Sequence, residues 1–187
     1  MRNMTILAAA LMAGSSVSLA DTTATADDEA KALIQQFASS LKGELTGAIK
    51  SGGPESAIEV CKVKAPAIAA NLSENSDWEI GRTSLKTRNP DNAPDAWETQ
   101  VLEQFESLKA EGKDVKTLTY AAVVEEDGAK QYRFMKAIPT ASVCLTCHGN
   151  NIDPELAEVI DAAYPDDQAR GYFAGDIRGA FTLSKPM

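Results

Sequence analysis

Residues 144–148 read Cys-Leu-Thr-Cys-His, and His148 is the only histidine among 187 residues. Two thiols at this spacing can add across the vinyl groups of haem while the adjacent imidazole takes an axial position on iron. The motif therefore predicts one covalent haem c, with Cys144 and Cys147 as thioethers and His148 as proximal ligand. A thioredoxin-like reading of the same pair wants a βαβ setting, which the pattern lacks. A zinc site needs four ligands, and only one further cysteine, Cys61, is present.

With no second histidine, a distal ligand has to be sulfur, lysine or water, if there is one at all. Outside the N-terminal segment the sulfur candidates are Cys61, Met135 and Met187. Met135 falls inside a strand pattern, where a gap-filling methionine is common. Met187 is the C-terminal residue, where chains fray. Cys61 is the thiol left over once the motif is consumed. It is either a ligand or a small buried hydrophobe.

The N-terminus has the form of a secretory leader. Arg2 supplies a positive start, Ile6 to Val17 is apolar, and Ser18-Leu19-Ala20 offers small residues for cleavage near Ala20. The apolar run is shorter than the roughly 20 residues needed to span a bilayer. A signal peptide over 1–20, a disordered linker over 21–27 and one domain over 28–187 are expected. The destination would be the periplasm, without membrane insertion after cleavage. Export also suits bacterial haem c attachment, and an oxidising compartment makes an unprotected Cys61 a liability. The chain carries 18 basic and 27 acidic residues. Loss of the leader removes only Arg2, leaving a net charge of −10, which argues against nucleic acid and anionic membrane as partners.

The elements that would position these residues follow from periodicity. Leu33, Phe37, Leu41, Leu45 and Ile49 mark a helix starting near Asp27 or Asp28 and stopped by Ser51-Gly52-Gly53. Pro54 opens a second helix, through about Leu72, whose stripe Ile58, Cys61, Ala65, Ile68 and Leu72 carries the odd thiol. Pro66 should kink it within a turn of Cys61. A strand over 78–85 comes next, followed by a loop punctuated by Pro90 and Pro94. Asp95 then caps a third helix that ends at Gly112. A hairpin joins 118–124 to 131–138 through Glu126-Asp127-Gly128. The motif, a short helix from Pro154 to about Ala163 and a last strand over 175–183 complete the chain. The order gives an α+β fold: an antiparallel sheet with helices gathered on one side. Trp78, Tyr132 and Phe134 could wall a haem pocket.

Several segments together resemble one family, the exported single-haem c-type cytochromes with a PAS-like fold. They are Ala57-Ile58-Glu59-Val60-Cys61, the prolyl turn at Ala65-Pro66, the stretch from Arg82 through Arg88-Asn89-Pro90 to Glu98, and the motif with Gly149. The likeness runs from about residue 30 to the C-terminus. It implies a PAS-like antiparallel sheet flanked by helices, with His148 proximal and Cys61 distal on the iron. Arg82 and Arg88 belong to its most specific stretch, and a guanidinium fork suits a propionate. Arginines beside an Asn-Pro turn more often tie down loops through carbonyls or acidic neighbours.

Thiolate ligation would stabilise ferric iron and lower the potential relative to His/Met cytochromes. Six-coordinate iron leaves no open site, so the expectation is a protein that is not an enzyme. Cys61 is expected to protonate or leave on reduction and open a site for CO or NO, which makes a redox or gas sensor. No kinase, methyl-accepting or DNA-binding segment is present, so a separate redox or signalling protein would take the signal. The alternative is a plain electron-transfer cytochrome of a respiratory or photosynthetic chain. A haem enzyme ranks third, because the only histidine is already spent.

Overall fold

The computed structural model describes residues 19–126 and 128–187. The expected signal peptide therefore lies outside the described residues up to position 18. Helix α1 runs Leu19–Glu59 and is interrupted where the sequence demands it. Gly52 and Gly53 leave helical geometry, Gly53 at a φ of 76° that side chains other than glycine rarely adopt. Pro54 then restarts the helix at a position where its missing N–H costs nothing. The linker expected over 21–27 is instead part of α1, and Ala26 is only 2 % exposed. Alanine is the best helix former, and at 26 and 30 its small side chain lets the helix lie close on the sheet.

A π-helical turn, Val60–Lys64, follows α1 directly and holds Cys61; the Ala65 N–H bonds back to the Val60 carbonyl. Helix α2, Ala65–Glu74, begins next, with Pro66 in its first turn. The kink expected at Pro66 is realised as this wide turn just upstream. Proline crowds the turn before it and cannot donate, and a π turn is one way a helix absorbs that defect.

Strands β1 (Glu79–Thr83), β2 (Thr119–Glu126), β3 (Ala129–Pro139) and β4 (Ile177–Pro186) make one antiparallel sheet in the order β1-β4-β3-β2. The expected hairpin is β2–β3. Helix α3, Ala96–Ala110, opens with a reciprocal cap: Asp95 accepts from the Glu98 N–H at 2.7 Å, and Glu98 accepts from the Asp95 N–H at 3.1 Å. Two short helices, α4 (Leu145–His148) and α5 (Pro154–Ala163), follow the hairpin. The α+β class holds. No helix among the described residues is long and apolar enough to cross a membrane.

Helices cover both faces of the sheet, not one. Alternation along β3 explains this, because successive side chains point to opposite sides. Tyr132 and Phe134 pack with Phe181, Leu183, Ile34 and Phe37 beneath α1. Met135 and Ala137 pack with Ala180, Leu102 and Phe105 beneath α3. Phe37 meets Phe181 edge to face at 5.4 Å, and Trp78 meets Tyr132 at 6.1 Å. Trp78, Tyr132 and Phe134 are thus core residues under α1. Met135, wholly buried under α3, faces away from the motif. A third cluster joins Ile58 to Leu156, Ile160 and Tyr164 of the α5 region, with Cys147 against it. This cluster ties the second half of α1 to the motif.

Phe37 is the largest side chain joining α1 to the sheet, so Phe37→Ala should lower unfolding free energy by about 3–5 kcal/mol. Chemical denaturation measures this, and a loss below about 1 kcal/mol would mean that α1 is not anchored there.

Candidate functional site

Cys61, Arg82, Arg88, Cys144, Cys147 and His148 all line one cleft. It encloses about 1280 Å³ of empty space, its open mouth included. One wall is the continuation of the α1 stripe. Leu41, Leu45 and Ile49 extend the line that begins with Ile34 and Phe37; Leu41 still packs against the sheet core, and all three face the cleft. The π turn carries Cys61 on the same side. Opposite it stand the end of β1, the 83–92 loop, the motif and the start of β4.

The motif occupies a short helical stretch. β3 ends in a register shift at Ile138/Pro139, a 3-10 turn covers Ser142–Cys144, and α4 follows. Helical spacing places Cys144, Cys147 and His148 on neighbouring positions of one face. Gly149 ends the turn with more than loop freedom. Its N–H bonds to the Leu145 carbonyl at 2.9 Å, and a Cβ there would sit 2.5 Å from that same oxygen. It also bridges to Tyr172, whose ring stands edge-on to the His148 ring at 6.4 Å.

His148 Nδ1 lies 2.7 Å from the Ala169 carbonyl oxygen. A carbonyl only accepts, so Nδ1 carries the proton and Nε2 keeps its lone pair. Burial pushes the imidazole pKa down to about 3; Arg178 and Arg88 add to the fall, against the Ala169 bond and Asp167. The ring is therefore neutral and orientated, with one nitrogen available to a ligand or metal. Burial also raises the Cys147 thiol, against the pull of Arg88. Cys61 lies near enough to Cys147, Arg82 and Tyr164 to act on their ionisation. No disulfide joins any of the three cysteines.

The three arginines of the cleft do different things. Arg88 is 8 % exposed and fully engaged: Nε and Nη2 fork onto Asp167 at 3.0 Å each, and Nη2 also donates to the Cys147 carbonyl at 2.6 Å. Arg82 stacks over the Phe37 ring at 5.5 Å, and no acceptor among the described residues takes its guanidinium protons. Arg178 donates from Nη1 to Ser84 Oγ at 3.1 Å and the Lys86 carbonyl at 3.3 Å, while its Nε is buried without a partner.

Residues 18–186 match the Tll0287-like family. The chain belongs to that family. Its fold resembles the crystal structure of the cyanobacterial heme-protein Tll0287 with a TM-score of 0.64, at 22 % identity over 91 % of this chain and 98 % of that one. No curated protein matches.

In this Tll0287-like chain the structure brings together all six residues singled out by sequence. Sequence reasoning missed Arg178, Tyr164 and the role of Gly149. Arg178 opens the last strand with no local signal. Tyr164 ends α5, where burial raises its phenol to about 12, with Cys61 reinforcing the rise. Met187, the other sulfur considered, is exposed.

Asp167 is 1 % exposed and depends on Arg88. Burial alone would raise its carboxyl. Hydrogen bonds from Arg88, Arg170 and the Ala169 N–H outweigh burial and hold it below the usual range. A depressed carboxyl contributes stability that is present above the unfolded value near 3.9 and lost as pH falls through the folded value. Arg88→Ala, which leaves Asp167 to Arg170 and the Ala169 N–H alone and frees the Cys147 carbonyl, should cost about 2–3 kcal/mol at pH 7. Asp167→Asn should flatten the loss of stability of the wild type below about pH 4. Denaturation at pH 7 and pH 3 checks both, and an Arg88→Ala loss under about 1 kcal/mol would contradict the first.

Proposed function

We propose that this chain is an exported haem protein that works as a redox or gas sensor through His/Cys-ligated iron. In this reading one haem c is joined to Cys144 and Cys147, with His148 proximal and Cys61 distal, on a PAS-like sheet. The single observation that carries it is the convergence of both thiols, the only histidine and the only other cysteine on one cleft. The residues fit a haem in further ways. The wall formed by Leu41, Leu45 and Ile49 is apolar and only half-buried among the described residues. The imidazole is neutral and held from behind at Nδ1, as second-shell partners of ligating histidines usually hold them.

When bound, the haem supplies an iron that can take up and give back one electron. The chain's own residues set the conditions. His148 offers Nε2 from a ring fixed by Ala169. Cys61 offers an anionic sulfur, which favours the oxidised metal. Were the need for that charge to fall on reduction, Cys61 would be the residue to take a proton from solvent and withdraw. Its seat in a π turn supports this, because such turns often mark functional positions in helices. That side would then be open to a small gas, NO or CO, and a separate protein partner would read the change. Export to the periplasm and the absence of enzymatic turnover belong to the same proposal.

Plain electron transfer is the second reading. It is favoured by the exposure of Val143, 53 %, beside Cys144, since an apolar spot at the cleft rim suits brief docking of a redox partner.

Visible spectra of the exported protein in both oxidation states, beside Cys61→Ala, separate these readings. The sensor reading expects a low-spin thiolate-type ferric spectrum that Cys61→Ala abolishes, and CO uptake by the reduced wild type. A coloured Cys61→Ala with an unchanged ferric spectrum would sink the distal assignment. Reduced protein that refuses CO would favour the electron carrier.

A further inference from the structure

The cleft has a charge pattern opposite to that of the molecule around it. The chain has nine more acidic than basic residues, yet the cleft lining contains Arg82, Arg88 and Arg178 and not one aspartate, glutamate or lysine. Arg88 is neutralised by Asp167, and Asp167 is shared with Arg170, so that carboxylate is spent. Arg82 and Arg178 have no such partner. Neither makes an ion pair among the described residues; the Arg178 charge opposes that of Arg82, and Arg178 is supported by Tyr172 and, at a distance, by Asp167. Both side chains are half-buried, and loss of water around them pulls both guanidinium groups down from their usual range. A charge partly withdrawn from water without a counter-ion is unfavourable, and a buried N–H without an acceptor adds to that. Arg178 shows both defects, because its Nε is buried and unpaired.

Such a pair is built to be completed by an anion. The cleft surface that leads to it is mostly apolar, formed by Leu41, Leu45, Ile49 and Ile138, so the anion belongs to a ligand whose body is apolar. We propose that Arg82 and Arg178 hold the two carboxylate side chains of the bound tetrapyrrole, and that Arg88 takes no part in this. Here the inference rests on the haem reading above and goes beyond it, by assigning which end of the cleft the acidic edge of the ligand occupies. Arg178 is the more fixed of the two, held through Nη1 by Ser84 Oγ and the Lys86 carbonyl. The Arg82 guanidinium lies over the Phe37 ring, 5.5 Å from its centroid, and keeps its donors for the cleft.

The test uses the holoprotein matured with haem attached. In Arg82→Gln and Arg178→Gln the loss of a positive charge beside the macrocycle should favour ferric iron. The oxidised-to-reduced equilibrium should shift about tenfold, equal to 59 mV for one electron. The propionate-bending band in resonance Raman spectra should move in both variants, a change that loosened packing elsewhere would not produce. Coloured variants with the wild-type potential and an unmoved band would overturn the assignment. A colourless wild type would instead overturn the haem reading itself, so the two failures are distinct. Should the glutamine variants fail to mature, a crystal structure of the wild-type holoprotein decides. Ligand carboxylate oxygens within about 3.2 Å of Arg82 and Arg178 nitrogens support the proposal. Carboxylates turned to solvent, away from both, refute it.

Discussion

The buried fork between Arg88 and Asp167 is the constraint from which the site takes its shape. One guanidinium draws together three stretches of chain far apart in sequence: the 83–92 loop, the Cys147 carbonyl of the motif, and the segment around Asp167. Asp167 in turn accepts from the Ala169 N–H at 2.9 Å, which fixes that peptide. The carbonyl of Ala169 is what holds His148 Nδ1. The imidazole is thus orientated through a chain of contacts that starts at Arg88. Buried ion pairs add little net stability on average, but they specify geometry where every donor and acceptor is used. Here the geometry specified is that of the histidine.

The rest of the cleft depends on how one long helix changes its role along its length. From Ala26 to Phe37 the apolar stripe of α1 covers the sheet and belongs to the core. From Leu41, which touches both the core and the cleft, to Ile49 the same periodicity continues as a wall of the cleft. Gly52 and Gly53 then redirect the chain so that Ile58 reaches Leu156, Ile160 and Tyr164. A straight helix of 41 residues would carry Cys61 away from the motif at about 1.5 Å per residue. The glycine break and the π turn keep it facing the cleft.

What could be read from sequence was whatever is local. The stop at Gly52-Gly53, the restart at Pro54, the Asp95 cap, the hairpin and the motif each follow from side chains within a few residues of one another. The grouping of Cys61 with the motif, which spacing alone left open, came with the family resemblance. What could not be read was set by contacts across the chain. Asp167 lies 79 residues from Arg88, and nothing near either announces the other. Arg178 reads as an ordinary strand residue until the cleft is seen around it. Helices on both faces of the sheet follow from which side of β3 each neighbour covers, and alternation fixes the two faces without saying what covers them. The helical N-terminal turns of α1 escaped notice because alanine and threonine look like linker composition. Their order comes from Ala26 and Ala30 packing on the sheet.

The two sides of the cleft are unequally constrained. His148 is held at its ring by Ala169, at its backbone through the Gly149 and Tyr172 pairing, and beneath by the Arg88 fork. Moving it would break a buried ion pair and several hydrogen bonds together. Cys61 sits in a single wide turn between two ordinary helices, with exposed Lys62, Val63 and Lys64 after it. That turn has only Val60 buried, whereas the helices on either side of it are packed on the sheet. If a group bridges the two sides and its demand for negative charge falls, the cheaper response is for the sulfur to move while the imidazole stays. In the proposed sensor His148 would be the fixed side of the cleft and Cys61 the side that yields.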